Sequence, residues 1–197
     1  MSRVKQYDRI ELLDKAVELF RNQGFNGTST SELVETLGVN RKSMYAEFGS
    51  KQQLFEAVLE RYDEHHLTRV ISRFETEGAG VAGILSAFKY YASAGEGPYR
   101  GLGCLMCNTA VDRGGLEESS GKFVDAYISR LSQAFHQALI TARNQNELTT
   151  SIDVGQLAGF LTTVLIGMAS SLRAKAPAEQ LWASYHMVAN MLEGFSS

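Results

Sequence analysis

The chain has 197 residues, of which 44% are apolar and 21% charged, and carries a formal net charge of -3. That length can bury a sizeable core as one large domain or two small ones. The acidic balance excludes a general charge-driven attraction to nucleic acid, so any contact with DNA must rest on where the cations are placed.

Residues 1–51 hold 8 Lys/Arg against 7 Asp/Glu, so the N-terminal quarter is only slightly basic. Two cysteines in a chain of this size do not make a disulfide framework, and a reducing, cytoplasmic setting is expected. The opening MSRVKQYDRIE has basic residues but no apolar run, so no secretory leader is expected there. Long helical patterns dominate, which predicts an all-α fold.

Asp8 followed by Glu11 resembles a capping box, and Ile10, Leu13, Val17 and Phe20 recur at helical spacing, predicting a first helix over 8–23 that Gly24 ends. Thr28 is placed to cap a second helix with Leu33, Val34 and Leu37 inward and Gly38 at its end. Asn40 is placed to cap a third, whose Met44, Tyr45 and Phe48 point back to a small core. Ser50 with Gln53 opens a long fourth helix over about 50–77, through Leu54, Val58, Tyr62 and Phe74. A fifth helix is expected over 81–93, a loop over 94–103, and a sixth helix over 104–112. A seventh fits 119–144, an eighth is capped by Asp153, and a ninth follows Pro177 to about Glu193.

The stretch from Thr28 to Lys51 has the size and bend of a helix-turn-helix, which inserts one short helix into the DNA major groove. Its third helix begins with Asn40, Arg41, Lys42 and Ser43, while its apolar residues occupy the other face. Base edges are read by donors at the start of such a helix. Arg41 and Lys42 are candidates for guanine edges or phosphates, and Tyr45 for a phosphate on the same face. Thr28 and Thr30 at the start of the second helix, and Lys51 at the start of the fourth, are candidate phosphate contacts.

The run AVELFRNQGFNGTSTSELVETLGVNRKSMYAEFGSKQQLFEAV resembles the N-terminal domain of TetR-type transcriptional regulators. The matching pieces are Ala16, Leu19-Phe20, Gly24-Phe25, Thr28-Ser29, Gly38-Val39, Tyr45, Phe48, Ser50-Lys51 and Leu54-Phe55. Lys42, Ala46 and Glu47 depart from the usual residues of that pattern. The resemblance implies a helix-turn-helix domain at 1–51 and a helical domain at 52–197 for ligand binding and dimerisation. It further implies a homodimer on a palindromic double-stranded operator, released by a small-molecule inducer.

The eighth and ninth helices support a dimer independently. Leu157, Leu161, Val164, Leu165, Met168 and Leu172 coat the eighth too broadly for one side to bury, and Gly159, Thr163 and Gly167 form a small-residue line at spacing four. Leu161, Met168, Trp182 and Tyr185 are expected at a four-helix interface. The charge-free run between Asp153 and Arg173 holds one Gln, two Thr and two Ser, and is read as a buried helix rather than a membrane span. If the family pattern applies, Phe88, Tyr91, Met106, Phe123, Tyr127 and Phe160 are candidate pocket residues, though each equally fits a plain core.

Gly103-Cys104-Leu105-Met106-Cys107 places two sulfurs on one face of a helix. With Cys104 in the first turn and Arg100 nearby, a lowered thiol pKa and a redox or electrophile sensor are expected, in line with a Gly-Cys sub-group of the family. Two buried, inert thiols are the opposing expectation. A thiol-redox enzyme or a ligand-binding protein using Cys104 and Cys107 without reading DNA is the competing function, but a thioredoxin-like βαβ context is missing. His65-His66, His136 and His186 do not combine into a zinc set, Gly115 to Lys122 is one residue too long for a phosphate loop, and no cofactor motif is legible.

Overall fold

The computed structural model describes residues 7–76 and 78–196. Among them the chain forms ten α-helices and no strand. The leader reading at residues 1–6, the side chain of His66 and the end of the expected fourth helix at Glu77 lie outside the described residues.

Helix α1 (Arg9–Gly27) starts where the Asp8 side chain accepts the Ile10 N–H at 2.8 Å. It buries Leu12, Leu13, Ala16, Val17 and Phe20 on one stripe. Gly24, at φ 76° and ψ 171°, breaks the regular turns, as the sequence predicted, and a short extra turn runs on to Gly27. Helices α2 (Thr30–Leu37) and α3 (Arg41–Phe48) follow, and α4 (Lys51–Tyr62) packs along α1.

The long fourth helix expected from the sequence is interrupted. A π-turn at Asp63–Leu67 separates α4 from α5 (Thr68–Glu75). The residue such a turn adds re-phases the apolar face, so that Val70, Ile71 and Phe74 become the buried positions of α5. Periodicity alone does not reveal where a helix widens.

Helix α6 (Gly80–Ala94) packs against α5 and α10 (Ala178–Gly194), and α8 (Glu118–Asn144) is the central post against which α9 (Val154–Arg173), α6, α5 and α7 (Leu105–Val111) lie. One apolar core runs without a break from Leu12 to Leu192. Phe135 on α8 stands at its middle, stacked on Phe74 at 4.8 Å between ring centres and tilted against Phe88 at 5.8 Å. In the N-terminal part Phe55 joins Phe20 and Phe25, each at 4.9 Å. Helix α9 is long and apolar enough to cross a membrane, but its buried face packs on α8, α6 and α10.

Phe135 is fully buried and holds α5, α6 and α8 together. Phe135→Ala should cost about 3–5 kcal/mol, measured as a lower urea midpoint at an unchanged slope. A loss below about 1 kcal/mol would mean that the ring cluster does not set the stability of this layer.

Candidate nucleic-acid interface

Helix α2 is fixed by a reciprocal cap. Ser29 Oγ accepts the Glu32 N–H at 3.2 Å, and the Glu32 carboxylate accepts the Ser29 N–H at 2.8 Å. The Ser29 hydroxyl and N–H hold the Glu32 carboxyl below its ordinary range. Thr28, expected as the cap, does not cap α2, and where a phosphate contact was expected it is buried, its hydroxyl donating to the Gly24 carbonyl at 2.7 Å. One hydroxyl in the pair Thr28-Ser29 had to close the kink at Gly24 and the other the helix, and the sequence left that division open.

At the far end of α2, Gly38 takes φ 68° and returns its N–H to the carbonyls of Val34 and Glu35. That left-handed turn, which glycine adopts without a Cβ penalty, sets the angle between α2 and α3. Asn40 caps α3 as expected, its side chain accepting the Ser43 N–H at 2.8 Å. Met44 and Phe48 anchor α3 in the core. Arg41 and Lys42 are left exposed and Ser43 half-buried at the start of the helix.

Tyr45 connects the two helices. Its hydroxyl lies 3.4 Å from Thr30 Oγ1, and the Arg41 guanidinium sits 5.5 Å from its ring centre. The hydrogen bond with Thr30 and the neighbouring Arg41 lower its pKa. Arg41, Tyr45 and Thr30 therefore form one polar strip across α2 and α3. Lys51 is partly withdrawn: Nζ donates to the Phe25 carbonyl at 2.6 Å and lies 4.2 Å from the Phe25 ring centre. Burial lowers its pKa. A phosphate at Lys51 would have to compete with that carbonyl. Glu47, on α3, accepts from the Tyr7 hydroxyl at 3.3 Å and pairs with Arg9 at 3.6 Å, which ties its charge to the start of α1.

The helix-turn-helix is bolted to the helical body by a residue the sequence reading missed. Arg21 of α1 is 5% exposed, and its Nε and Nη2 both donate to the Gly103 carbonyl, at 2.9 and 2.7 Å. Arg173 of α9 donates back to the Arg21 carbonyl at 3.0 Å and to Gly101 at 3.2 Å. Gly103 has φ 63°, and a Cβ there would come within 2.8 Å of the Arg173 side chain and 3.0 Å of the Ala169 carbonyl. An amphipathic helix with an Arg on its apolar side was the available signal, since a buried Arg needs a partner.

Cys104 follows directly, but as the N-cap of α7 rather than within its first turn, and both cysteines are buried. Burial raises the Cys104 pKa, yet hydrogen bonds from the Cys107 thiol and N–H, the Tyr62 hydroxyl and the Met106 N–H outweigh it and bring the value down to about 6. Donating its proton to Cys104, together with burial, pushes Cys107 well up, so Cys104 is the thiol that ionises first. Arg100 takes no part: it donates to the Lys175 carbonyl on the exposed surface.

Of the expected pocket residues, Phe88, Met106 and Tyr127 are packed into the core, Phe123 is half-buried against it, and Phe160 is 49% exposed on the outer face of α9. Tyr91 lines a small cavity, shared with Arg21, Tyr62 and Gly103. The expected interface also divides. Leu161 and Met168 are buried within the protomer, because α8 and α10 already cover that side of α9. Gly159, Thr163 and Gly167 face outward with Phe160, while Trp182 and Tyr185 are half-buried on α10.

A capped helix-turn-helix with an exposed basic start to its second helix, carried on an all-helical body, defines a DNA-binding transcriptional regulator. Residues 12–58 match the family described as bacterial regulatory proteins, tetR family, and residues 80–187 match the tetracyclin repressor-like C-terminal domain. The chain is 32% identical to the transcriptional repressor ComR of Escherichia coli, over 91% of this chain and 86% of that one. It is 28% identical to the regulator YezE of Bacillus subtilis, over 92% and 94%. Among solved structures it resembles the TetR family regulator CifR bound to a 26-base-pair operator (TM-score 0.80, 22% identity, 95% of this chain and 98% of that one). The chain belongs to the TetR family of transcriptional regulators.

The acidity of Cys104 has a thermodynamic sign. A thiol lowered from 9.0 to about 6 adds stability that is fully present above the unfolded value and is lost as pH falls through 6. Wild type should therefore gain stability over Cys104→Ser as pH rises from 6 to 9, with thiolate absorbance at 240 nm appearing near pH 6 in wild type alone. A difference independent of pH would show that Cys104 stays a neutral thiol.

Proposed function

We propose that the protein is a repressor that binds a palindromic operator as a homodimer and is released by a small molecule. The carrying observation is the polar strip of α2 and α3, where Arg41 and Lys42 are exposed beside Tyr45 and Thr30 at the start of the short helix. Arg41 and Lys42 reach base edges or phosphates; Tyr45, Thr30 and Ser43 hold the backbone and fix register. Asn40 acts through the cap it provides to α3. The naming of the relative ComR as a repressor supports repression, and the CifR complex with operator supports this mode of docking.

Residues 1–51 serve as the reading head, and residues 52–197 as the dimerisation and effector domain. The outward face of α9, with Gly159, Phe160, Thr163 and Gly167, and the flank of α10, with Trp182, Tyr185 and Met187, supply the dimer contact. Small residues at spacing four let two helices approach closely, and a two-fold pair would place the α3 helices about 34 Å apart, one turn of the duplex. The thiols favour a bound molecule over covalent modification as the release signal: Cys104 has the acidity for a trigger, but both side chains are buried.

Arg41→Ala combined with Tyr45→Ala should weaken operator binding by about a hundredfold or more, since each lost base or phosphate contact costs about 1–3 kcal/mol. Gel-shift titration against a fragment selected from the source genome measures this, and sedimentation should show an unchanged dimer. Unaltered affinity would remove α3 from the interface.

A further inference from the structure

Beside the small cavity at Arg21 lies a larger groove on the surface, of about 410 Å³, which is within the size range of small-molecule sites. Its rim carries Arg73 of α5 and Lys89 of α6, both exposed. Arg73 donates to Ser86 Oγ at 3.3 Å and lies 5.1 Å from the Tyr90 ring centre. Ser86, Lys89, Tyr90 and Ser93 fall on one face of α6 by helical spacing, so the cation, the hydroxyls and the ring are presented together. Among the described residues no carboxylate pairs with Arg73 or Lys89. The other walls are apolar surfaces of Ala94, Pro98 and Tyr99.

Groove and cavity share Tyr90, Ala94 and Tyr99 as walls. Behind them Arg21 is buried, yet its contacts are a carbonyl and the Tyr99 ring, 5.3 Å away, and no carboxylate neutralises it among the described residues. The cavity it lines, about 20 Å³, is wide enough for a water-sized group. Two exposed cations, Arg73 and Lys89, thus flank a groove that also presents the Ser86 and Ser93 hydroxyls and the apolar surfaces of Ala94, Pro98 and Tyr99.

We propose that this groove is the effector site and that it takes an amphipathic organic carboxylate, its acid group held by Arg73 and Lys89 and its apolar body against Tyr90, Pro98 and Tyr99. The reading rests on the protein being a ligand-released regulator. An occupant that moves Tyr99 acts on the ring packed over Arg21, and so on the grip of Arg21 on Gly103, which joins α1 to the body. An inorganic anion would satisfy the cations but leave the apolar walls empty, and a neutral amphiphile would do the reverse.

Calorimetric titration of the full-length protein without DNA separates these possibilities, using octanoate, 3-phenylpropionate, 1-octanol and inorganic phosphate as probes. At least one carboxylate should bind about tenfold or more tightly than octanol and phosphate, the worth of a charge-assisted contact. Arg73→Gln with Lys89→Gln should lower that affinity by a similar factor without changing the melting temperature, and Lys89→Glu should do so alone. Failure of both carboxylates to bind, equal binding of octanol or phosphate, or affinity untouched by the variants would overturn the proposal. Because no DNA is present, such a result leaves operator binding standing. Carboxylate binding by a protein that retains no operator would instead defeat the repressor reading alone.

Discussion

The most directed contact between the helix-turn-helix and the helical body is made at the carbonyl of Gly103. Two nitrogens of Arg21 converge on it from α1, and the main chain of Arg21 is in turn held by Arg173 of α9 and, at 3.4 Å, by Asn108 of α7. Helix α1 is the scaffold of the helix-turn-helix, so its angle to the body sets where α3 stands. Apolar packing between α1 and α4 or α7 is non-directional and tolerates small slides. Hydrogen bonds from a planar guanidinium to one carbonyl do not, because they weaken steeply with angle. The polar latch therefore sets the geometry while the apolar core supplies most of the stability.

The recognition strip depends on the same division of labour at smaller scale. Eight-residue helices are too short to be stable alone, so α2 and α3 exist because each is capped and because Leu33, Leu37, Met44 and Phe48 pin them to the core. The caps use up Ser29, Glu32 and Asn40, the kink uses Thr28, and the Phe25 carbonyl engages Lys51. What remains uncommitted is a narrow set around Arg41 and Lys42. Few free donors per protomer argue for a reader that gains specificity by duplication.

Much of this was legible in the sequence, and the failures have physical causes. Helix positions follow from apolar periodicity and from Asp8, Asn40 and Asp153, whose side chains cap as their types require. The helix-turn-helix was legible because a turn glycine, a cap and a basic helix start fall within a few residues. Thr28 and Ser29 were hard to tell apart because both types cap helices, and the kink at Gly24 is what assigns their places. The π-turn at Asp63–Leu67 left no trace in composition. Phe88 and Met106 were indistinguishable from pocket residues because an apolar side chain at helical spacing looks the same facing a void or a neighbour. Leu161 and Met168 turn inward within the protomer, which the pattern did not show, because a helix coated on most of its circumference does not declare which side its own chain covers. The groove at Arg73 and Lys89 was invisible for the opposite reason, its cations reading as an ordinary solvated face.

Charge explains why the two ends of the molecule do not interfere. A net charge of -3 offers DNA no general welcome, so the small basic start of α3 works locally, within about one Debye length of ~8–10 Å at moderate salt. The same screening confines the cations at Arg73 and Lys89 to their own groove. In the proposed mode of release, a signal between groove and operator face travels by displaced contacts, not by long-range field. Among the described residues, a route of that kind runs through directed or stacked contacts: Tyr99 on Arg21, Arg21 on Gly103, and Arg173 closing the loop onto Arg21. Gly103 is the link with least latitude, since its left-handed backbone and the crowding by Arg173 and Ala169 forbid any side chain. Its neighbour Cys104 sits one peptide from the latch, so the hydrogen bonds that Tyr62 and Cys107 give that sulfur also hold the carbonyl in line for Arg21. Ordering the thiol and ordering the latch are one structural requirement, because one peptide carries both.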